Sequence, residues 1–195
     1  MNGIMHRKIV LFRSDLFHKS NVGSDLQRSK IITDLYNLKN TSKEIDNSNT
    51  GCIRLFKPQL EIHWLYDEIY QLISKAIDFY DEEDIIFKSK RKDNIDITYW
   101  ANINSKGSRN VFHSHKENNF SLIYYVQAEG TGALRFANHS NLLGDCNNTS
   151  PFVRDFEIFP KNGDLFLWPS YVPHEVETNM SNVDRINLAF NINLI

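Results

Sequence analysis

The chain has 195 residues, of which 41% are hydrophobic and 24% charged, and its formal net charge is -2. This length and balance predict a single globular domain with its own core, and they exclude a disordered or collagen-like chain. A near-neutral chain lacks the basic field that attracts nucleic acid or anionic membranes. We therefore expect a small-molecule or protein partner and no nucleic acid.

Cysteine usage and hydropathy indicate where the protein works. Cys52 and Cys146 stand far apart without a Cys-x-x-Cys spacing, which predicts neither a disulfide scaffold nor a zinc ribbon and favours a reducing compartment. No apolar stretch reaches the length of a membrane span, and the N-terminal apolar run is too short for a secretory signal. These features predict a cytoplasmic protein without a membrane partner.

The first half of the chain is predicted to be mainly helical. A short strand is expected at Lys8–Phe12, and apolar spacing behind Ser24 predicts an amphipathic helix over 24–40. A loop rich in Asn, Ser, Thr and Gly is expected over 40–51. Pro58 marks the first turn of the longest predicted helix, which carries its apolar stripe from Trp64 to Tyr80.

From about Ile95 the apolar period changes to two, which predicts strands. The candidates are "IDITYWANIN", "FSLIYYVQ", "ALRFA", "FEIF", "DLFLW", "HEVET" and "RINLAFNINLI". The turn "PKNGD" places Asn-Gly between two apolar runs and predicts a β-hairpin, and Pro169 is expected to end the pairing of its strand. Helices followed by strands predict a mainly β fold, an antiparallel barrel or cupin-like jelly roll. Residues 1–92 would supply helical support and residues 93–195 the jelly-roll core of one domain.

The last predicted strand alternates cleanly between two kinds of residue. Its apolar face carries Ile186, Leu188, Phe190, Ile192 and Leu194, and its other face carries Arg185, Asn187, Ala189, Asn191 and Asn193. A polar strand face commonly meets water, but it can also line a barrel that holds a polar ligand. The alternation alone leaves both interpretations open.

Three histidines form a candidate metal site. His113 and His115 are two residues apart, so a strand would place both on one side, with Tyr125 in matching parity on the next strand. His174 follows a Pro at the start of a later strand. Imidazole nitrogen suits iron, zinc, copper or nickel, and three protein ligands leave positions open for substrate and water. The other four histidines are interpreted as structural or solvated.

The motifs "HSH", "SLIYYV", "GDLFLWPSYVPHEV" and "DRINLAFNI", in this order, resemble the 2-oxoglutarate and iron(II) dependent oxygenases. The resemblance is to a small H-x-H branch of this prolyl-hydroxylase-like superfamily. It covers about half of the chain, from Trp100 to the C-terminus, while the N-terminal part is similar in placement only. The resemblance implies a double-stranded β-helix, iron(II) as cofactor, 2-oxoglutarate and dioxygen as cosubstrates, and hydroxylation of an unidentified small-molecule or protein substrate.

The resemblance also implies roles for individual residues. His113 matches the first metal histidine and His174 the distal one. Arg185, eleven residues beyond His174, occupies the position of the basic residue that pairs with the remote carboxylate of 2-oxoglutarate. A planar guanidinium suits that bidentate pairing. Asn187 and Tyr125 fall at positions that contact the same carboxylate in relatives.

The second metal ligand departs from the wider superfamily, in which an H-x-Asp/Glu pair is usual. Either His113 and His115 both bind with His174, or His115 and Glu117 form the usual pair beside His113. The H-x-H pattern of the branch favours the three-histidine site, in which Glu117 points away from the metal.

Two other classes of function are also compatible with this sequence. A cupin-like metal protein or isomerase could use the same barrel and histidines without 2-oxoglutarate, and a structural or interaction domain would use neither. Arg185 argues against both, because an arginine buried on a polar strand face requires an anionic partner.

Overall fold

The computed structural model describes residues 14–39, 49–82, 94–137 and 155–195, and the strand predicted at Lys8–Phe12 lies outside them. Its helices are α1 (Asp25–Lys39) and α2 (His63–Glu82). Its strands are β1 (Phe17–Lys19), β2 (Asn49–Phe56), β3 (Ile95–His113), β4 (Phe120–Gln127), β5 (Leu134–Phe136), β6 (Phe156–Ile158), β7 (Leu165–Pro169), β8 (His174–Val176) and β9 (Arg185–Leu194). Neither of the described helices is long and apolar enough to cross a bilayer.

The strands form an antiparallel half-barrel in the order β1-β7-β4-β9-β3-β8-β5-β6, with β2 paired to β3. The 19-residue strand β3 belongs to both walls of this half-barrel. Its first part, Ile95–Asn104, pairs with β9, and its last part pairs with β8 through Asn110 and His113. This is the predicted mainly β jelly roll, and its bent central strand brings the two walls to one side of a pocket.

The two helices cover the outer face of the larger wall. Ser24 and Gln27 begin α1 with a reciprocal capping box, in which each residue's side chain accepts a hydrogen bond from the other's backbone N–H. Along α2 the buried residues recur at helical spacing: Leu65, Ile69, Leu72, Ile73, Ala76, Ile77 and Tyr80. They join the apolar face of β9 in the main core. The polar face of β9 therefore turns inward, toward the pocket.

The N-terminal part contributes two strands besides its helices. Strand β2 begins at Asn49, inside the predicted loop, and α2 begins at His63, five residues beyond Pro58. Gly51, at φ +69°, lies at a register shift between β2 and β3. The carbonyl of Pro58 accepts a hydrogen bond from the Tyr99 hydroxyl, which ties the segment before α2 to the sheet. The partners of β2 are some 50 residues away in sequence, so local patterning does not show it.

The hairpin prediction at Pro160–Asp164 is wrong. A turn is present there, with Gly163 at φ +83°, but β6 pairs with β5 while β7 pairs with β4 and β1. The backbone N–H of Gly163 donates to the carbonyl of Tyr125, and the carbonyl of Gly163 accepts a hydrogen bond from the backbone N–H of Val22. Because β6 follows β8 and β5 in the sheet order whereas β7 lies between β1 and β4, the turn is a crossover between the two walls. Strand β7 ends at Pro169, as predicted.

Candidate metal and cosubstrate site

The three predicted histidines converge at one mouth of the half-barrel. His113 ends β3 and His174 begins β8, and the two are direct cross-strand partners with ring centroids 4.4 Å apart. His115 lies beyond the strand, where its backbone N–H donates to the carbonyl of Ser170. The possible ligand atoms of His113, His115 and His174 all lie within 4.8 Å of one another. Strand pairing therefore fixes two of the imidazoles, and the following turn brings in the third.

Their surroundings keep these histidines neutral. Burial lowers the pKa of His174 to about 3, and burial with the nearby charge of His113 lowers the pKa of His115 to about 4. The pKa of His113 is also lowered, mainly by burial. The ring of Trp168 packs 4.9 Å from that of His174, and Trp100 stacks on His115. Neutral imidazoles in an apolar wall present lone pairs to a cation.

Hydrogen bonds orient two of the rings. Nδ1 of His113 lies 2.6 Å from the carbonyl oxygen of Val111, and Nδ1 of His174 lies 3.1 Å from that of Val172. A nitrogen next to a carbonyl acceptor carries the ring proton, so each Nε2 keeps its lone pair. Rings fixed in this way are typical of metal-ligating histidines.

Glu117 lies outside the cluster. Its side chain is exposed on the turn between β3 and β4, and it is not part of the converging group. The geometry therefore favours the three-histidine arrangement over the one in which His115 and Glu117 form a pair.

A second polar centre lies deeper in the barrel, around Arg185. The side chain is fully buried, and its Nη1 donates to the carbonyl oxygens of Thr131 (2.6 Å) and Glu177 (2.9 Å). Its Nε and Nη2 have no hydrogen-bond partner among the described residues, and neither does the hydroxyl of the fully buried Tyr125. Tyr125 lies opposite Asn187 in the sheet, two residues along β9 from Arg185. Burial raises the pKa of Tyr125, and the charge of Arg185 acts against that rise.

Unsatisfied buried donors are costly, and these three share one location. Asn187 connects them to the pocket, because it is two residues from Arg185 and is the cross-strand partner of Tyr125. Its Oδ1 accepts a hydrogen bond of 2.9 Å from Asn102. The pocket lining includes Asn187 and the three histidines but not Arg185 or Tyr125, which adjoin the pocket through Asn187. An anionic group reaching past Asn187 would satisfy the three donors.

Sequence analysis missed several residues of the pocket. Arg54, Trp100, Asn102 and Asn110 line it together with the histidines. Arg54 was missed because the predicted loop covers the start of β2 up to Gly51 and no strand was predicted over the residues that follow. For Asn102 the sequence does contain a signal. Asn102 and Asn104 alternate with Ala101 and Ile103, and such alternation places both amides on one face of β3.

A jelly roll with three neutral histidines at its mouth and buried, unsatisfied donors nearby can hold a metal ion and an anionic ligand. Residues 98–191 match the family model described as "Putative 2OG-Fe(II) oxygenase". No curated protein matches the chain. This jelly-roll half of the chain belongs to the 2-oxoglutarate and Fe(II) dependent oxygenases, as its motifs indicated.

Solved structures share the fold at low sequence identity. A prolyl-4-hydroxylase from Pseudomonas putida is 11% identical with a TM-score of 0.60, and the match covers 92% of each chain. The collagen prolyl hydroxylase of Paramecium Bursaria Chlorella virus-1, solved with 2-oxoglutarate, is 13% identical with a TM-score of 0.56, covering 92% of this chain and 96% of the other. HygX from Streptomyces hygroscopicus, solved with nickel, 2-oxoglutarate and hygromycin B, is 11% identical with a TM-score of 0.59, covering 91% and 82%.

The family assignment makes iron(II) the cofactor and 2-oxoglutarate and dioxygen the cosubstrates, and it does not favour the cupin-like alternative. The residues present fit both groups. Three neutral imidazoles form a nitrogen donor set suited to iron(II), and the orphaned donors of Arg185 and Tyr125 suit a carboxylate.

Proposed function

We propose that His113, His115 and His174 hold the iron(II) of a hydroxylase, and that Arg185, Tyr125 and Asn187 hold the remote carboxylate of 2-oxoglutarate. The observation that carries this proposal is the arrangement of one pocket. A three-imidazole cluster lies at its mouth, and buried donors without acceptors lie beyond its inner end.

When bound, iron(II) and 2-oxoglutarate supply the chemistry that cleaves dioxygen: one oxygen atom enters a substrate C–H bond, and the other enters the succinate that decarboxylation leaves. The protein's part is to position and shield these groups. Three imidazoles leave the remaining coordination positions open. The Arg185 guanidinium offers two adjacent donors in one plane, which fixes the direction of a carboxylate. Trp168 and Phe136 pack around His174 and exclude water from that side.

The described part of the chain adds no carboxylate to the three-histidine cluster, and this would set the charge at the metal. Three neutral imidazoles leave the full charge of iron(II) to be balanced by the cosubstrate, whereas an Asp or Glu ligand would cancel part of it. The side chain of Glu117 is exposed and does not offset this charge at ligand distance. The proposed site therefore favours anionic occupants.

The substrate class is proposed as a small molecule or a protein. The near-neutral charge disfavours nucleic acid. Structures with this fold include prolyl hydroxylases and HygX with hygromycin B, so the fold accommodates both substrate classes in other proteins. A cytoplasmic location remains a prediction, which cell fractionation would test.

We also propose that the chain is one folding unit. The helices and β1 pack on the same apolar core as β4 and β9, and β2 extends the sheet through β3. A single cooperative unfolding transition, seen by both far-UV and near-UV circular dichroism, is expected.

Ligand-dependent stabilisation tests the proposed site. Ligands that bind only the native state raise its melting temperature by mass action. Manganese(II) with 2-oxoglutarate is expected to raise it more than either alone, and a scan of candidate substrates with iron(II) is expected to show stimulated succinate release. If 2-oxoglutarate leaves the melting temperature of the metal-loaded protein unchanged, the carboxylate assignment to Arg185 and Tyr125 is wrong.

A further inference from the structure

His18, in β1, is a histidine outside both the metal cluster and the residues 98–191 that match the family model. Its backbone is the cross-strand partner of Phe166 in β7, and its ring stacks on the Phe166 ring with centroids 4.4 Å apart and planes at 15°. The Phe166 ring packs edge to face on that of Tyr125, at 6.1 Å and 79°. The N-terminal part of the chain thus reaches the wall that carries one of the orphaned donors.

His18 also holds a buried carboxylate. Its Nε2 lies 2.9 Å from Oδ1 of Asp164, and Nε2 is the donor because a carboxylate only accepts. The backbone N–H of Lys161 donates to Oδ2 of the same carboxylate at 2.7 Å. The side chain of Asp164 is 7% exposed, whereas that of His18 is 45% exposed. A half-exposed imidazole therefore supplies one of the two donors to a nearly buried acid.

This acid is the neighbour of Tyr125 in the sheet. The backbone N–H of Tyr125 donates to the carbonyl of Asp164 at 2.8 Å, which extends the pairing of β4 with β7 by one residue. Asp164 and Phe166 are two residues apart and both contact His18, so their side chains share one face of β7. Tyr125 packs on Phe166 from the same face. A buried acid and a buried hydroxyl without a described partner therefore lie on adjacent strands and on one face.

The inference drawn from this arrangement rests on the proposed function, in which Tyr125 and Arg185 receive the remote carboxylate of 2-oxoglutarate. A protein carboxylate beside such a site competes for the same donors, because an ionised acid accepts strongly from a hydroxyl or a guanidinium. It also repels a second anion where water does not screen the charge. In the described part of the chain the oxygens of Asp164 bond to His18 and Lys161 instead.

We propose that His18 is a positioning residue of the cosubstrate site, which holds the Asp164 carboxylate so that the Tyr125 hydroxyl stays free for 2-oxoglutarate. Without the imidazole, Oδ1 of Asp164 becomes a buried acceptor without its donor, and leaving such an atom unpaired is costly. The Tyr125 hydroxyl, on the same face, is the donor that it would then capture. A strand of the N-terminal part thus sets the affinity of a site formed by the jelly-roll half.

His18→Phe tests this role, because it keeps an aromatic ring on Phe166 and deletes the hydrogen bond. 2-Oxoglutarate is titrated by calorimetry into protein loaded with zinc(II), which is redox-inert. His18→Phe is expected to bind 2-oxoglutarate about five- to tenfold more weakly than the wild type, the effect of one lost hydrogen bond. Its zinc affinity should be unchanged. His18→Gln, whose side-chain amide can still donate to Asp164, should retain most of the 2-oxoglutarate affinity.

A double variant separates positioning from a purely structural role. Asp164→Asn removes the negative charge and keeps an oxygen for the Lys161 N–H. In the His18→Phe/Asp164→Asn variant, 2-oxoglutarate affinity should therefore return most of the way to the wild-type value, although the melting temperature should not recover. If His18 only stabilised β1, the second substitution would add to the loss of affinity instead of reversing it.

The matched control is Lys19→Met, at the next residue of β1 and on its opposite face. This change removes the ion pair of Lys19 with Glu68, which joins β1 to α2, and leaves the Asp164 carboxylate untouched. Its 2-oxoglutarate affinity should equal that of the wild type. A loss in Lys19→Met as large as in His18→Phe would mean that any loosening of β1 weakens the site, which overturns the inference.

The remaining outcomes are also decisive. An unchanged 2-oxoglutarate affinity in His18→Phe, or a loss that persists in the double variant, overturns the role of His18 and leaves the proposed function standing. Failure of 2-oxoglutarate to bind the zinc-loaded wild type contradicts the proposed function itself, and the role of His18 with it. If His18→Phe does not fold, His18→Ser is measured in its place with the same expectations, since this position of β1 is half-exposed.

Discussion

The two ends of the pocket are built in different ways. At the mouth, His113 and His174 each direct Nδ1 at a backbone carbonyl, so these rings are already held before any ligand arrives. At the inner end, Arg185 and Tyr125 keep buried donors that no described residue satisfies. A preorganised end accepts a metal at little cost of reorganisation, while an unsatisfied end gains most of its hydrogen bonding from the ligand itself.

The largest effect is expected at the mouth. Replacing His113, His115 or His174 by Ala removes one of three proposed ligands, and metal affinity should fall on the order of a hundredfold or more, since loss of a partner behind a ligand already costs about ten- to a hundredfold. Competition titration with a chromophoric chelator measures this. Similar losses at all three positions are expected, and an unchanged affinity in His113→Ala would remove that residue from the site.

The next effect is expected at the inner end. Arg185→Ala should weaken 2-oxoglutarate binding by roughly 2 to 5 kcal/mol, the cost of truncating a buried charged pair, with metal affinity retained. The absorbance band of the iron-bound keto acid reports this affinity. Because Nη1 also donates to the carbonyls of Thr131 and Glu177, Arg185→Ala is expected to have a lower melting temperature as well.

Arg185→Lys provides the companion variant to Arg185→Ala. It keeps the charge and most of the volume and removes the bidentate geometry. Equal 2-oxoglutarate affinities in wild type, Arg185→Lys and Arg185→Ala would disprove the assignment of this residue to the remote carboxylate.

A smaller effect separates ligand binding from stability. Tyr125→Phe deletes a hydroxyl that has no described partner, so the free energy of unfolding should not fall, while 2-oxoglutarate binding should weaken by about 1 kcal/mol. Its neighbour is the matched control, because the Tyr124 hydroxyl donates to the carbonyl of Val22 at 2.8 Å. Tyr124→Phe should lower stability by about 1 kcal/mol and leave the binding unchanged. Denaturant unfolding measures the stability of both variants, and calorimetric titration measures their 2-oxoglutarate binding. If Tyr124→Phe weakens the binding and Tyr125→Phe does not, the carboxylate does not contact Tyr125.

The smallest effect is expected for Glu117→Gln. The carboxylate is exposed and lies outside the histidine cluster, so metal affinity should change by less than about twofold. A loss of metal affinity comparable to that of the histidine variants would mean that the turn rearranges to make Glu117 a ligand, and the mouth of the pocket would then not be preorganised.

Local patterning predicted which residues share a strand face, and the resemblance to the oxygenases predicted their roles. The H-x-H pair and the Pro-His start of β8 pointed to His113 and His174, which the structure brings together, whereas the alternation of β9 left the direction of Arg185 open until the fold buried it. The same alternation failed to identify Arg54, because β2 contains Gly51 and a register shift and follows a polar segment. The Asn-Gly turn was recognised, but its strands pair elsewhere, because a turn sequence does not specify which strands lie next to each other.

By itself the sequence determined the mainly β architecture and the family, and it predicted the candidate site residues, since these follow from strand periodicity and from motifs within a few residues of one another. Only the tertiary structure shows where the side chains of His113 and Glu117 lie, since the two are four residues apart and on either side of His115. The cross-strand pairing of His113 with His174 brings one of them inward, and the turn leaves the other in solvent. The tertiary structure likewise brought Arg54 onto Trp100 and placed Tyr125 opposite Asn187, two residues from Arg185, because each of these pairs joins strands that are distant in the chain.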